Sequence, residues 1–298
     1  FGSDEAVLAC LRLIGDRDGL GDLLADGSRL ASQAVGQGSG DWAMQVKGLE
    51  MPGYEPRSLK TMALALAVST RGACHNRSSA YEADFSNTVD RLKADDQRGL
   101  AHLLEHMAFN GTEHFEKQEL IDYLESIGMA FGPSINAYTS FDETVYMLQV
   151  PTEDPETVAT GFQILEDWAH LVSFEPDEID KERGVVIEEW RLGRGAEARI
   201  QDQQLPILFT DSHYAERLPI GKVEILQNFP HEELTRFYNT WYRADLMAVV
   251  AVGDFDPAEI EQLIQTHFNR LAVPASPLER PYFDVPDHAE TYSPIASD

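Results

Sequence analysis

The spacing of apolar residues changes several times along the chain, and each change marks an element. Ala6, Leu8, Leu11, Leu13 and Ile14 recur at near-helical intervals and predict a first helix, with a second over Leu20 to Val35. Gly36, Gly38 and Gly40 end that helix, and Met51-Pro52-Gly53 with Pro56 marks a turn region. Leu59 to Val68 is apolar and rich in alanine, which predicts a buried helix. The expectation for residues 1–94 is therefore a mainly helical segment.

From Gly99 onward helix and strand patterns alternate. Leu100 to Phe109 reads as a helix, and Lys117 to Ile127 as an amphipathic one stopped by Gly128. Residues 129–150 read as two strands, the second with Val145, Met147 and Gln149 alternating with Tyr146, Leu148 and Val150 ahead of Pro151. Asp154-Pro155 opens a helix to about Leu171, and Glu175-Pro176 opens a long one to about Arg199. Helices follow near 221–228 and 231–242, then an apolar strand from Leu246 to Val252, then a helix opened by Pro257 and running to about Leu271. Prolines 274, 277, 281, 286 and 294 give the tail a linker-like composition. The sum is an α+β class, an antiparallel sheet with helices packed on it. The expected division is 1–94, 95–275 and a linker or start of a further domain over 276–298.

Composition narrows the function classes. With 51 acidic against 23 basic side chains the formal charge is −28, which repels phosphate backbones and speaks against nucleic-acid binding. Basic or neutral polypeptides are the partners such a surface admits, and an acidic surface that serves solubility alone is the competing reading. No apolar run reaches the roughly 20 residues of a membrane helix. Cys10 and Cys74 supply neither a disulfide framework nor a cysteine metal site, so the compartment, cytoplasmic or periplasmic, stays open. The chain starts at Phe1 and is expected to be a fragment or a processed product. Gly36-Gln-Gly-Ser-Gly40 follows no strand and reads as a loop rather than a nucleotide site.

The sharpest chemical signal is His102-Leu103-Leu104-Glu105-His106. Positions i and i+4 of a helix share a face, so both imidazoles can converge on one ion at about 2.0–2.1 Å each. Glu105 lies close enough on that face to reach a water at the ion. In a chain of this composition the pattern arises by chance on the order of 0.02 times. A catalytic zinc site takes a third protein ligand and keeps a position for water. The helix after Pro176 offers Glu182, Glu188 and Glu189, of which Glu182 and Glu189 fall near one stripe while Glu188 points about 100° away from Glu189. Glu189, beside apolar Val185, Val186 and Trp190, is expected to face inward. His114, His213 and His231 are isolated in sequence and need no special role.

An inverted His-x-x-Glu-His helix is the mark of the inverted zincins. Gly99 to Thr112 resembles the active-site helix of the pitrilysin/insulinase family of metallopeptidases, and the likeness continues through Asn136 to Tyr146, Glu182 to Arg191, Leu218 to Lys222 and Trp241 to Asp254. The resemblance implies Zn²⁺ as cofactor, His102, His106 and Glu189 as ligands, Glu105 as general base and Glu182 as an accessory carboxylate. It further implies that Asn136 and Ala137 lie on a strand edge that pairs with an extended peptide or protein substrate. A second half or partner subunit is expected to close over that substrate, and activity is expected to collapse as pH drops toward about 5, where histidines protonate. Glu188 stays a competitor for the third ligand.

Residues 1–93 resemble a different family, the tungsten-pterin aldehyde:ferredoxin oxidoreductases, through Gly19 to Leu24, Asp41 to Arg57 and Ser69 to Arg77. The implied parent enzyme needs four cysteines for its iron–sulfur cluster, which Cys10 and Cys74 cannot supply, and His75 is as readily a loop residue as a cofactor neighbour. A chimeric chain joined within Ala94 to Gly99, by gene fusion or by sequence misassembly, is the expectation. Two other functions stay in play: an oxidoreductase remnant carrying an inactive passenger, and a non-catalytic peptide-binding or assembly subunit of the same fold.

Overall fold

The structure, a computed structural model, describes residues 7–11, 61–69, 95–129, 132, 134–253, 255–271, 273, 275 and 285–287. Strands β1 (Val7–Leu11), β2 (Thr61–Ser69), β3 (Ile135–Thr139), β4 (Glu143–Pro151) and β5 (Met247–Gly253) form one sheet in the order β1-β5-β2-β4-β3. Every pairing among them is antiparallel. The helices are α1 (Leu100–Met107), α2 (Glu119–Ser126), α3 (Pro155–His170), α4 (Pro176–Leu192), α5 (Ala196–Leu208), α6 (Val223–Asn228), α7 (His231–Trp241) and α8 (Pro257–Phe268). The α+β class expected from the pattern is the class observed.

Two elements differ from expectation. Within the stretches read as helices over 6–14 and 59–68, the described residues form the strands β1 and β2. In β2 the large residues Met62, Leu64, Leu66 and Val68 recur at every second position and all are buried, so the period is that of a strand. The alanines between them carry high helix propensity, which tertiary pairing overrides. β2 is the central strand, placed between β5 and β4, so the sheet takes strands from both sides of residue 94. The expected helix over 20–35, the turn at 51–56, the glycine loop at 36–40, Cys74 and His75 fall outside the described residues, as does most of the tail beyond 275.

The register aligns large residues across the sheet. Val249, Leu66, Tyr146 and Ala137 form one row, and Ala251, Leu64, Leu148 and Ile135 the next. Helix α3 packs closely on β4 and β2 because Gly161 has no side chain there: a Cβ on it would stand 3.1 Å from Val150 Cγ1 and 3.2 Å from Leu64 Cδ1. Its start is fixed by Asp154, whose carboxylate accepts from Glu156 N and Thr157 Oγ1, with Pro155 as first helical residue. Trp168 on α3 is fully buried, stacks on Tyr146 at 5.3 Å and donates its Nε1–H to Ala108 O at 3.0 Å, tying α3 to the end of α1. The loop after α1 is tied down by the buried Asp167 carboxylate, which accepts from Thr112 Oγ1, His114 N, His114 Nδ1 and Gln163 Nε2. His114, isolated in sequence, thus has a local structural partner, and His231 pairs likewise with Asp180.

The single long helix expected over 176–199 is two. It breaks around Gly193 and Gly195 into α4 and α5. No helix among the described residues is long and apolar enough to cross a membrane.

Candidate metal centre

Helix α1 buries Leu100, Ala101, Leu103, Leu104 and Met107, and this turns His102, Glu105 and His106 toward the remaining face. Its first turn is held by an unusual crossing. Gly99 precedes the helix at φ 96°, and Gly221 at φ 78° passes so close that a Cβ on it would stand 2.7 Å from Arg98 O and closer still to Gly99 Cα. Only glycine satisfies both the positive φ and the contact. The Leu218 to Lys222 segment therefore clamps the helix that carries the histidines.

The second wall is α4. Ile179 and Val186, two turns apart, are its buried stripe, and Glu178 is buried with them. Glu182 and Glu189 each follow a member of that stripe by three residues, which puts both about 60° to one side of it, toward α1. Glu188 lies on the opposite side of the helix and is held there by Arg191 at 2.8 and 2.5 Å. Arg183 anchors α4 from its other flank: Nη1 donates to Leu226 O at 2.5 Å, Nη2 to Phe229 O at 3.1 Å, and the guanidinium sits 4.0 Å over the Phe229 ring.

These two walls bring three predicted ligands together. His102 Nε2 and His106 Nε2 lie 3.7 and 3.6 Å from the same oxygen, Glu189 Oε2. The two rings stand edge to face, centroids 4.8 Å apart, and one ligand atom from each of the three residues falls within 4.8 Å of the others. Donors at about 2.0–2.2 Å around a tetrahedral ion are roughly 3.3–3.6 Å apart, so the set fits a divalent ion with little adjustment. The buried, inward Glu189 expected from its apolar neighbours is not what forms. Its side chain is 52% exposed, Val185 is exposed too, and the carboxylate reaches the histidines from the solvent side.

Electrostatics prepare the donors. Burial, helped by the neighbouring His106, lowers His102 to about 4, so it is a neutral imidazole with a lone pair to offer rather than an ion-pair partner of Glu189. Burial alone would lower His106 as well, but the hydrogen bond it donates to Glu182 and the charges of Glu105, Glu182 and Glu189 carry it above its ordinary value. The Glu182 carboxylate can only accept, so His106 Nδ1–H donates to Glu182 Oε2 at 3.1 Å and leaves Nε2 as the free donor atom. Glu182 is fixed in turn by Asn110, which also donates to His106 O at 3.2 Å.

Glu105 sits beside the histidines without belonging to the ligand set. Burial raises its pKa, while the hydrogen bond from Thr139 and the charge of His106 work against that rise. Thr139 Oγ1 donates to its Oε2 at 2.6 Å. Asn136 and Ala137 lie on β3, the last strand of the sheet, and Asn136 Oδ1 accepts from Ala137 N at 2.9 Å. Thr139, Asn110 and Thr144 support the site and were assigned no role from sequence. All three are short polar residues whose usual place is a turn or a solvated face.

Comparison with known proteins adds the family. Residues 90–205 match the profile described as insulinase (peptidase family M16), and residues 228–295 match the profile of the peptidase M16 inactive domain. From residue 90 on, the chain belongs to peptidase family M16. The M16 region is 42% identical over 201 residues to a zinc protease PQQL-like protein of Arabidopsis thaliana, covering 67% of this chain and 21% of that protein. It is 37% identical over 185 residues to the probable zinc protease PqqL of Escherichia coli, covering 62% and 20%. Among solved structures, the first half of the periplasmic protease PqqL from Escherichia coli superposes with a TM-score of 0.65 at 31% identity, covering 78% of this chain and 45% of that one. The chain thus spans about a fifth of the curated relatives it matches. Residues 1–132 match aldehyde ferredoxin oxidoreductase, domains 2 and 3, overlapping the M16 match by residues 90–132. Strands β1 and β2 lie inside that oxidoreductase match, yet both belong to the sheet shared with the M16 strands.

Proposed function

We propose that this chain carries the catalytic half-site of a zinc-dependent endopeptidase. The observation behind the proposal is the convergence of His102 Nε2 and His106 Nε2 on one oxygen of Glu189, with Glu105 alongside and outside the ligand set. His102, His106 and Glu189 would hold the ion. When bound there, zinc supplies Lewis acidity toward a peptide carbonyl and brings a water's pKa to about 7.

The chain's own residues do the rest. Glu105, within reach of a water at the centre, takes its proton on a carboxylate oxygen and returns it to the departing amine nitrogen. The upward push of burial on Glu105 suits a group that must gain and release a proton near neutrality. Glu182 keeps His106 in the tautomer that presents Nε2. On β3 the residues Asn136 and Ala137 present a strand edge, and an extended peptide laid along it would pass in front of Glu105, which Thr139 on the same strand already contacts. A second M16 half, present in relatives several times longer, is the partner that would complete the substrate chamber. A join near residue 94 between two ancestral pieces belongs to the same proposal, and a peptide spanning Lys93 to His102 in the natural protein tests it.

The function is tested with zinc-loaded protein and an internally quenched peptide. Glu105→Gln is expected to keep one zinc per chain and to lose cleavage by about 10²-fold or more. Unchanged cleavage refutes the assignment of the base. A metal content dominated by iron or tungsten in place of zinc favours the oxidoreductase remnant instead.

A further inference from the structure

The base is not held by its own helix alone. Thr139 Oγ1 lies 2.6 Å from Glu105 Oε2 and 3.2 Å from Thr144 Oγ1, its direct cross-strand partner in the β3–β4 register. In the core the Tyr146 and Tyr242 hydroxyls pair with each other at 2.7 Å. Two hydroxyls, from β3 and β4, therefore run in file to the carboxylate.

We propose that Thr139 is a positioning residue for Glu105, and that the buried Thr144 behind it fixes the direction in which its hydroxyl points. This rests on the reading of Glu105 as the general base. The direction follows from counting protons. An ionised carboxylate can only accept, so Thr139 donates to Glu105. Each hydroxyl has a single proton, so Thr139 oxygen accepts from Thr144. Both O–H dipoles then aim their positive ends at Glu105, and aligned hydrogen bonds strengthen one another.

The pair has little freedom to turn away. Thr144 is fully buried. Both threonines are β-branched residues on paired strands, where χ1 is restricted. Glu105 Oε2 is thereby committed to Thr139, and the other carboxylate oxygen is the one left to exchange a proton with water and leaving group. A set of hydroxyls that merely filled a polar hole would not need to terminate on the base.

The test uses the 298-residue chain, zinc-loaded, with Thr139→Val, Thr139→Ser, Thr144→Val and Glu105→Gln compared for kcat, KM and zinc content. Thr139→Val keeps the shape and removes the donor. It is expected to lower kcat by roughly 10- to 100-fold, as the loss of one hydrogen bond to a charged group implies, with KM and zinc content near wild type. Thr139→Ser is expected to recover most of the rate, and Thr144→Val to lose a smaller factor. Wild-type kcat in Thr139→Val while Glu105→Gln is inactive overturns this proposal and leaves the peptidase reading standing. Wild-type turnover in Glu105→Gln overturns the peptidase reading itself. Crystal structures give a readout independent of turnover: the Glu105 carboxylate is expected to leave its single position in Thr139→Val, and finding it unmoved overturns the proposal even where cleavage is slow.

Discussion

Removing Glu182 should weaken metal binding although Glu182 is not in the ligand set. Its Oε2 receives His106 Nδ1–H at 3.1 Å, and its side chain is only 16% exposed, so solvent replaces little of what is lost. A hydrogen bond to a charged group at such a place contributes about 1.5–3 kcal/mol, and outer partners of metal-bound histidines typically account for about 10- to 100-fold in affinity, which is the same range. Glu182→Ala is expected to raise the zinc Kd by up to about 100-fold and Glu182→Gln by about tenfold, since the amide oxygen still accepts but carries no charge. The pH dependence has a definite sign. Glu182 helps hold the His106 pKa above its ordinary value, so in the wild type a proton begins to compete with the ion as pH falls through that raised value. Without Glu182 the lowering effect of burial is left less opposed, and His106 loses its proton at lower pH. The affinity gap should then be widest near pH 8 and should narrow near pH 6. Competition titration against a fluorescent zinc chelator over that range measures both. A Kd for Glu182→Ala within about twofold of wild type at pH 8, or a gap that widens on acidification, refutes the reasoning.

Other outcomes follow from the same geometry. Glu189→Gln is expected to lower zinc affinity by about 100-fold or more, whereas Glu188→Gln, whose carboxylate is turned away onto Arg191, should leave it unchanged in the same titration. Gly221→Ala places a methyl against Arg98 O and Gly99 at a positive φ, and should destabilise by roughly 2–3 kcal/mol, read as a drop in Tm of about 5–10 °C. Trp168→Phe removes the donor that satisfies Ala108 O in the core and should cost about 1–3 kcal/mol in urea unfolding, with zinc stoichiometry retained in the folded protein.

The parts that were legible in sequence share one property: a local spacing that the fold preserves. His102, Glu105 and His106 face one way because a helix turns about 100° per residue, and Glu182 and Glu189 share a stripe for the same reason. Proline after Asp154, Glu175 and Asp256 announced α3, α4 and α8 correctly. The illegible parts depend on partners distant in the chain. Thr61 to Ser69 becomes a strand because β4 and β5 pair with both its edges, and its alanines argue locally for a helix. The break between α4 and α5 lay in Gly193 and Gly195, which the helical run on either side obscured. Glu189 reaches the histidines from the open side, which its apolar neighbours in sequence did not announce. The hydroxyls behind Glu105 come from two separate strands, Thr139 on β3 and Thr144 on β4, and no spacing within either signals a shared purpose.

The location of β2 constrains how this protein can be cut. A shortened chain starting at Asp95, just ahead of the peptidase motif, would retain every ligand yet omit the strand that couples β5 to β4. Leu148, Tyr146 and Val249 would each lose their lateral neighbour, and with β1 gone as well three newly bare strand edges, one on β4 and two on β5, would face solvent. Such a product should precipitate or recruit a foreign strand, and a synthetic peptide covering 61–69 added in trans should return it to solution.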